Sequence, residues 1–363
     1  MSVQRISQRD IALRAKVHFT TVSLALRNSP SLPEATRLRI QQLAKEMGYR
    51  PDPMLSALQA YRKTVKASGF EGTIAWVNAY KVPSQLYLGR FTKVYLNAAR
   101  QRCEELGYRL EEFNLAEFST NRLSKIFQAR NIQGLLLPPQ PHNRSHLNFD
   151  WENYSAVTFG YSLSRPRLHM VANAQYSSAR MGVRVLRKYG YRRIGFITTH
   201  NSDERTDQNF SSGYLTERRR VKLAEDVPML ILRDFDAELQ KKDFHRWYKK
   251  YKPAVILSMY DRISVYMEEL GIPYTECGLA LLLLYTDTPG KLAGIYQNDD
   301  LIGSSAVDFL VGMIHRNERG VPKTPLRILV EGKWIDGQSV FHQNLEKTPK
   351  KNKAMPRASL QVS

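Results

Sequence analysis

The sequence predicts an α/β body carrying a small all-α module at its amino end. Two observations lead there: seven short apolar runs separated by helical segments between residues 69 and 343, and three compact helix signals within the first fifty residues. A third concerns charge. The 363 residues hold 54 Lys and Arg against 34 Asp and Glu, a net charge of +20. Residues 1–68 carry +8 and residues 344–363 carry +4, so well over half of the excess lies on 88 residues at the two ends. A basic end on a nearly balanced body suits a nucleic-acid-binding arm, with a solvated basic face as the alternative.

The first helix signal is Ser7-Gln8-Arg9-Asp10, a hydroxyl cap with a carboxylate three residues on, followed by apolar Ile11, Ala12 and Ala15. Lys16-Val17-His18 breaks the pattern, and Thr20–Leu26 forms a second short helix with Val22, Ala25 and Leu26 on one side. A third starts at Ser31-Leu32-Pro33-Glu34, where Glu34 can close a capping box, and runs through Ile40, Leu43, Ala44 and Met47 to stop at Gly48. Such helices share a small core and leave the second free to insert His18, Phe19, Thr20 and Thr21 into a major groove, the helix-turn-helix geometry. An unspecialised three-helix module is the alternative.

Asp52-Pro53, then Met54 to Tyr61, signals another helix of about nine residues, too short to be stable alone and therefore in need of a partner. Leu55 and Leu58 lie one turn apart on it, and Arg62, Lys63 and Lys66 follow as phosphate-range cations. Packing of both leucines on the body is the competing reading.

In the body the strand-like runs are Thr73–Asn78, Gly134–Pro138, Ala156–Tyr161, Arg193–Thr198, Met229–Leu232, Ala254–Met259 and Leu279–Tyr285. Tyr176, Ala179, Val183 and Leu186 keep helical spacing, as do Ile302, Ala306, Phe309 and Met313. About 275 residues exceed one ordinary doubly wound sheet and suit two such subdomains around a cleft. The tail 344–363 reads as basic and disordered.

The stretch Asp10-Ile11-Ala12 through Val17, Thr21-Val22-Ser23, Ala25-Leu26, Thr36-Arg37, Ile40 and Gly48-Tyr49-Arg50-Pro51 resembles the headpiece of the lactose-repressor/galactose-repressor (LacI/GalR) family. The body resembles the family's periplasmic-binding-protein-like sensor, best at Met181-Gly182-Val183, Gly190–Phe196, Ser212-Gly213-Tyr214, Ala293–Asn298, Ile302-Gly303 and Glu331–Val340. The resemblance implies a headpiece at 1–50, a hinge helix and linker at 51–68, and a two-subdomain effector-binding and dimerisation domain at 69–343. It implies base reading by His18, Phe19 and Thr20, with Thr21 and Ser23 nearer the backbone, and further DNA contacts from Ser7, Arg27, Tyr49 and Arg62. In the hinge it implies a minor-groove wedge at Leu58, with Leu55 one turn earlier. Lys16 stands where the family usually has Gly, and Leu24 where an Arg is frequent.

For the cleft, Asp261 and Asp287 are hydrogen-bond candidates, Tyr80, Tyr161 and Phe210 candidate stacking surfaces, and Arg205 a substitute cation. Each aromatic can equally be a core residue, and Asp261 a helix cap. Phe210 stands where the family has an Arg, and Asn173 where it often has Asp.

The expected function is a sequence-specific transcriptional regulator, in the first instance a repressor. It would bind a near-palindromic operator in double-stranded DNA as a homodimer, under the control of a small molecule, a sugar or sugar derivative. The alternatives are a periplasmic-type sugar-binding protein and a DNA-binding regulator with a degenerate or non-sugar effector site. No phosphate loop, dinucleotide fingerprint, nucleophile elbow or zinc-protease motif occurs, so no enzyme, cofactor or metal is expected. The absence of a long apolar run and of a leader at the amino end, with two Cys in all, leads to the expectation of a cytoplasmic, membrane-free, nucleoid-associated protein.

Overall fold

A computed structural model describes residues 6–26, 28–29, 31–49, 72–81, 89–221, 227–234 and 236–343. The readings at Arg27, Leu55, Leu58 and Arg62, the linker 51–68 and the tail 344–363 lie outside the described residues.

Three helices open the chain: α1 (Gln8–Ala15), α2 (Phe19–Leu26) and α3 (Glu34–Glu46). The expected capping box forms at α1, where the Ser7 hydroxyl accepts from the Asp10 N–H and the Asp10 carboxylate accepts from the Ser7 N–H at 2.7 Å. At α3 it does not: the capping position is taken by Pro33 with no side-chain cap, and Ser31 Oγ lies 2.8 Å from Ser29 Oγ. Ile11, Ala12, Ala15, Val22, Ala25, Ile40 and Ala44 form the shared core. Gln41 on α3 donates to Ala25 O at 2.8 Å, satisfying a carbonyl near the carboxyl end of α2.

Lys16 ends α1 at φ 53°, ψ 45°, the left-handed conformation that costs a residue with a Cβ about 1 kcal/mol. The family's usual glycine has a physical reason at this turn. Lys16→Gly is therefore expected to stabilise the headpiece by about 1 kcal/mol, read as a higher denaturant midpoint of an isolated 1–50 fragment or of the whole chain.

The body contains two six-stranded sheets. The first is built from β1 (Gly72–Asn78), β2 (Tyr108–Asn114), β3 (Gly134–Leu137), β5 (Ser155–Phe159), β7 (His169–Asn173) and β13 (Arg327–Val330). Its order is β2-β1-β3-β5-β7-β13, parallel throughout. The second contains β8 (Ile194–Thr199), β9 (Leu230–Leu232), β10 (Val255–Ser258), β11 (Gly278–Leu284), β12 (Ala293–Tyr296) and β14 (Lys333–Ile335), in the order β9-β8-β10-β11-β12-β14. Only β14 is antiparallel there. Two short strands, β4 (Ser145–His146) and β6 (Leu163–Arg165), pair separately. Both sheets reverse direction of winding after their first strand, placing a switch point between β1 and β3 and another between β8 and β10.

Helices cover both faces of each sheet. α4 (Gly89–Glu105) and α11 (Asp299–His315) pack on one face of the first, with Ile74, Trp76, Val157, Phe159, Ile302 and Leu310 buried between, and α5 (Thr120–Ala129) covers the other. α6 (Gln175–Lys188) and α8 (Asn209–Arg220) cover the second sheet on one side, and α9 (Ala237–Tyr251) with α10 (Ile263–Glu269) on the other. α7 (His200–Arg205) is a single short turn after β8. Gly213 and Gly303 let paired helices approach closely: a Cβ on Gly213 would lie 2.4 Å from Tyr176 O, and one on Gly303 2.5 Å from Tyr95 O. That constraint explains the local sequence likeness at Ser212-Gly213-Tyr214 and Ile302-Gly303.

Glu217 on α8 is fully buried, with Arg180 at 2.8 Å, Arg184 at 3.0 Å and Arg220 at 3.0 Å. Burial alone would raise its carboxyl, but hydrogen bonds from Arg184, Arg180 and Arg220 outweigh it and hold the group at about 2. A carboxylate held below its unfolded value stabilises the fold above pH 4.5, and that contribution is lost as pH falls toward 2. Discounted for the solvent around the arginines, it amounts to about 2 kcal/mol. Glu217→Gln should remove this part of the acid sensitivity between pH 5 and 2, read by melting curves across that range.

Candidate DNA-reading helix and inter-subdomain cleft

On the headpiece, His18, Phe19 and Thr20 stand exposed at the amino end of α2, while Thr21 and Ser23 are half-buried. His18 O accepts from the N–H groups of Thr21 and Val22, and its Nδ1 lies 2.8 Å from Thr20 Oγ1, which fixes the first turn of the helix. Phe19 keeps 45% of its surface in solvent, although the helix buries Val22 and Ala25 completely. A large aromatic left outside a core that is otherwise closed is available for contact with another surface. Ser7 is exposed and occupied with its capping box. Tyr49 is half-buried, its hydroxyl accepting from Gln8 Nε2 at 3.1 Å, so it ties the exit of α3 to α1.

The chain passes between the two sheets three times: from β7 into α6, from β12 into α11, and from β13 into β14. Buried amides knit these crossings together. Gln297 accepts from Asn173 Nδ2 at 3.0 Å and Ser178 Oγ at 3.2 Å, and donates to Leu282 O. Asn173 Oδ1 accepts from Gln175 at 2.9 Å, Ala174 N–H donates to Val330 O at 2.8 Å, and Asn298 donates to Glu331 O at 2.7 Å. Asn173, set where the family often has an acid, thus serves as a neutral hinge amide.

The loops after β1 and β3 and the turn after β8 meet at the switch points. Tyr80, after β1, donates from its hydroxyl to Pro139 O at 2.7 Å, and Asn114 donates to Tyr80 O at 2.9 Å. Arg205 on α7 crosses from the second subdomain to donate to Pro141 O at 3.0 Å, and it faces the Tyr80 hydroxyl. Asn143 crosses the other way to Asn201 O at 3.4 Å and Glu204 at 3.3 Å. Burial lowers Arg205 and raises Tyr80, each opposed by the other's proximity. Tyr161, after β5, lies under the Arg327 guanidinium with 5.5 Å to the ring centre, close to Asp207 and Asn209 of the facing subdomain.

These contacts bring Tyr80, Tyr161 and Arg205 to one side of the cleft. Asp261 lies after β10 and accepts from the Tyr285 hydroxyl at 3.1 Å, one residue before Arg262, the capping position of α10. Asp287 is exposed in the loop after β11. Phe210 is a correction: it is fully buried with Phe196 and Tyr214 in the core of the second subdomain, so no face of its ring is open to a ligand. Residue types alone did not single out Gln140, Asn143, Asp203 and Gln297. Each is a polar residue within five positions of an apolar run, and only the folded chain shows that, among the described residues, the first three have buried oxygens lacking a donor.

Residues 8–52 match the family model described as bacterial regulatory proteins, lacI family. The HTH-type transcriptional repressor CytR of Escherichia coli (strain K12) is 48% identical over 48 residues, 13% of this chain and 14% of that protein, so the curated relative is matched over about a seventh of its length. The solved structures cover far more. The transcriptional regulator CelR in its cellobiose complex has a TM-score of 0.55 at 16% identity, over 92% of this chain and 100% of that one. The Lac repressor dimer bound to operator and the anti-inducer ONPF has 0.52 at 13%, over 93% and 100%. A regulator-like protein from Alkaliphilus metalliredigens QYMF complexed with D-xylulofuranose has 0.53 at 16%, over 75% and 100%. Identities this low establish the fold of the body, and the family match is confined to the headpiece. The helix-turn-helix headpiece thus matches the lacI family model, and the body has the periplasmic-binding-protein-like fold of these regulator structures.

Proposed function

We propose that the protein is a homodimeric transcriptional regulator, in the first instance a repressor, that reads a near-palindromic operator and responds to a small molecule between its two subdomains. The observation that carries the reading is the exposed first turn of α2, His18-Phe19-Thr20, set on a closed three-helix core of the lacI type. A helix presented in this way fits a major groove, where its amino-terminal side chains reach base edges. The charge on residues 1–68 supplies the salt-sensitive, sequence-independent part of binding. Two copies would suit the symmetry of an operator and the shortness of the helix that the sequence leads one to expect from Asp52 to Tyr61, too short to be stable unpaired. In the hinge, Leu58 would enter the minor groove, with Leu55 and Arg62 beside it.

Effector control is supported by the cleft: two switch points face each other, bridged by a few polar contacts and joined at a buried amide hinge. A ligand that binds the closed arrangement better than the open one shifts their balance, and residues 51–68 and the headpiece precede β1 in the chain. The sugar ligands named for the solved relatives make a sugar or sugar derivative the first class to try.

Thermal-shift screening of sugars and sugar acids on the full chain, followed by mobility shift with each hit, tests the reading. A ligand that binds the native state raises the melting temperature. The expected hit also changes DNA affinity at least fivefold in either direction. Ligands that bind without altering DNA affinity would contradict effector control.

A further inference from the structure

Arg205 is 8% exposed, yet among the described residues no carboxylate forms an ion pair with it. Its acidic neighbours in sequence are engaged elsewhere. Asp203 faces Ser211 and His200, Glu204 takes a hydrogen bond from Asn143 and lies 3.7 Å from His200, and Asp207 faces Tyr161. The guanidinium instead meets a carbonyl, Pro141 O, and a neutral hydroxyl, Tyr80. Holding a cation in a buried place without a counter-charge is costly, and arginine's planar fork matches a carboxylate or phosphate in two parallel hydrogen bonds.

The surrounding polar atoms have the opposite requirement. Among the described residues, Gln140 Oε1, Asn143 Oδ1 and Asp203 Oδ1 are buried acceptors without a donor. The amide orientations are set by their nitrogens: Gln140 Nε2 donates to Pro138 O at 2.6 Å and Asn143 Nδ2 to Asn201 O and Glu204. Buried acceptors of this kind are rare and call for a donor, which ligand hydroxyls supply. Gln140 and Asn143 stand on the segment that follows β3 and Asp203 on the helix that follows β8, the two segments that Arg205 and Asn143 join across the cleft.

We propose that Arg205 anchors an anionic group, so that the effector is a hydroxylated acid, carrying either a carboxylate or a phosphate ester. This rests on the effector-cleft reading above and narrows its ligand class. The anion pairs with Arg205, and its hydroxyls donate to the free oxygens of Gln140, Asn143 and Asp203. Closing the cleft around the ligand then joins the two subdomains where Arg205 and Asn143 already cross.

The test uses the full chain and matched panels of glucose, galactose and mannose, each with its uronate, aldonate and 6-phosphate. Melting shifts and titration calorimetry should show at least one anion binding more than tenfold more tightly than its neutral parent. Arg205→Gln should remove that preference, with a tenfold or greater loss for the anion and little change for the parent. The uronate and aldonate arms against the 6-phosphate arm separate carboxylate from phosphate. Without ligand, Arg205→Met should melt above the wild type, because the uncompensated charge is gone. A neutral sugar bound by the wild type at least as tightly as all of its anionic forms overturns the anionic assignment and leaves the effector cleft standing. Arg205-dependent anion binding that leaves DNA affinity unchanged supports the anion site and overturns the regulator reading instead. No response to any anion, or Arg205→Met melting below the wild type, shows Arg205 to be a structural brace and overturns the inference.

Discussion

Phe19→Ala is expected to weaken binding to a specific operator about 30-fold, roughly 2 kcal/mol, while binding to unrelated duplex and the melting temperature stay within error. Phe19 is 45% exposed and absent from the headpiece core, so its removal costs the fold little. In a major groove the ring would lie against base edges, where a thymine methyl offers apolar surface, and phosphate contacts would be left in place. Mobility shifts at fixed salt on specific and scrambled duplexes separate the two components. Equal losses on both duplexes would assign Phe19 to backbone positioning, and no loss on either would remove α2 from the groove.

Gln297→Leu is expected to destabilise the body by about 3 kcal/mol, a fall in melting temperature of roughly 6–12 °C. The replacement keeps most of the volume but leaves Leu282 O, Asn173 Nδ2 and the Ser178 hydroxyl without their partner in a fully buried place. Unmade buried hydrogen bonds cost more than formed ones contribute, and here three fall together. Gln297→Glu is a sharper variant, since an acid in this position would have to be buried neutral or find a cation. Because the amide joins the crossings after β7 and β12, Gln297→Leu should also loosen subdomain closure, seen as faster hydrogen exchange at 173–178 and 297–302. A melting temperature within 2 °C of wild type would show that the network contributes little.

Much of this architecture is legible in the residues. The seven apolar runs fall on β1, β3, β5, β8, β9, β10 and β11; all but the edge strand β9 lie inside their sheets, where strands buried on both faces read as continuous hydrophobic stretches. β2 escaped that pattern: Tyr108-Arg109-Leu110-Glu111-Glu112-Phe113 alternates between buried and exposed positions, as an edge strand half in water does. β7 is short and begins with a buried His169, whose Nδ1 accepts from the Leu326 N–H at 2.9 Å, a role no periodicity reveals. In the headpiece the cap at Ser7 and the turn at Lys16 follow from local chemistry, whereas the missing box at α3 depends on Pro33 occupying the cap.

The cleft was the harder part. Tyr80, Tyr161 and Arg205 come together because they follow strands at or near the switch points, a placement that the strand pattern implies. Phe210 was misplaced because a position along a helix does not reveal which face is turned to the sheet when both neighbouring turns are mixed in polarity. Gln140, Asn143, Asp203 and Gln297 gain meaning only from what they fail or manage to bond in the folded chain, Asn143 across 58 and 61 residues and Gln297 across 119 and 124, information that pairs of nearby residues do not contain.

Footprinting on genomic fragments at about 150 mM salt tests the central claim most directly. The expected result is protection of a discrete, near-symmetric site of about two helical turns, with half-sites related by a two-fold axis and a hypersensitive centre where the duplex bends. Binding that remains blind to sequence at that salt, with no protected site on any fragment, would contradict it.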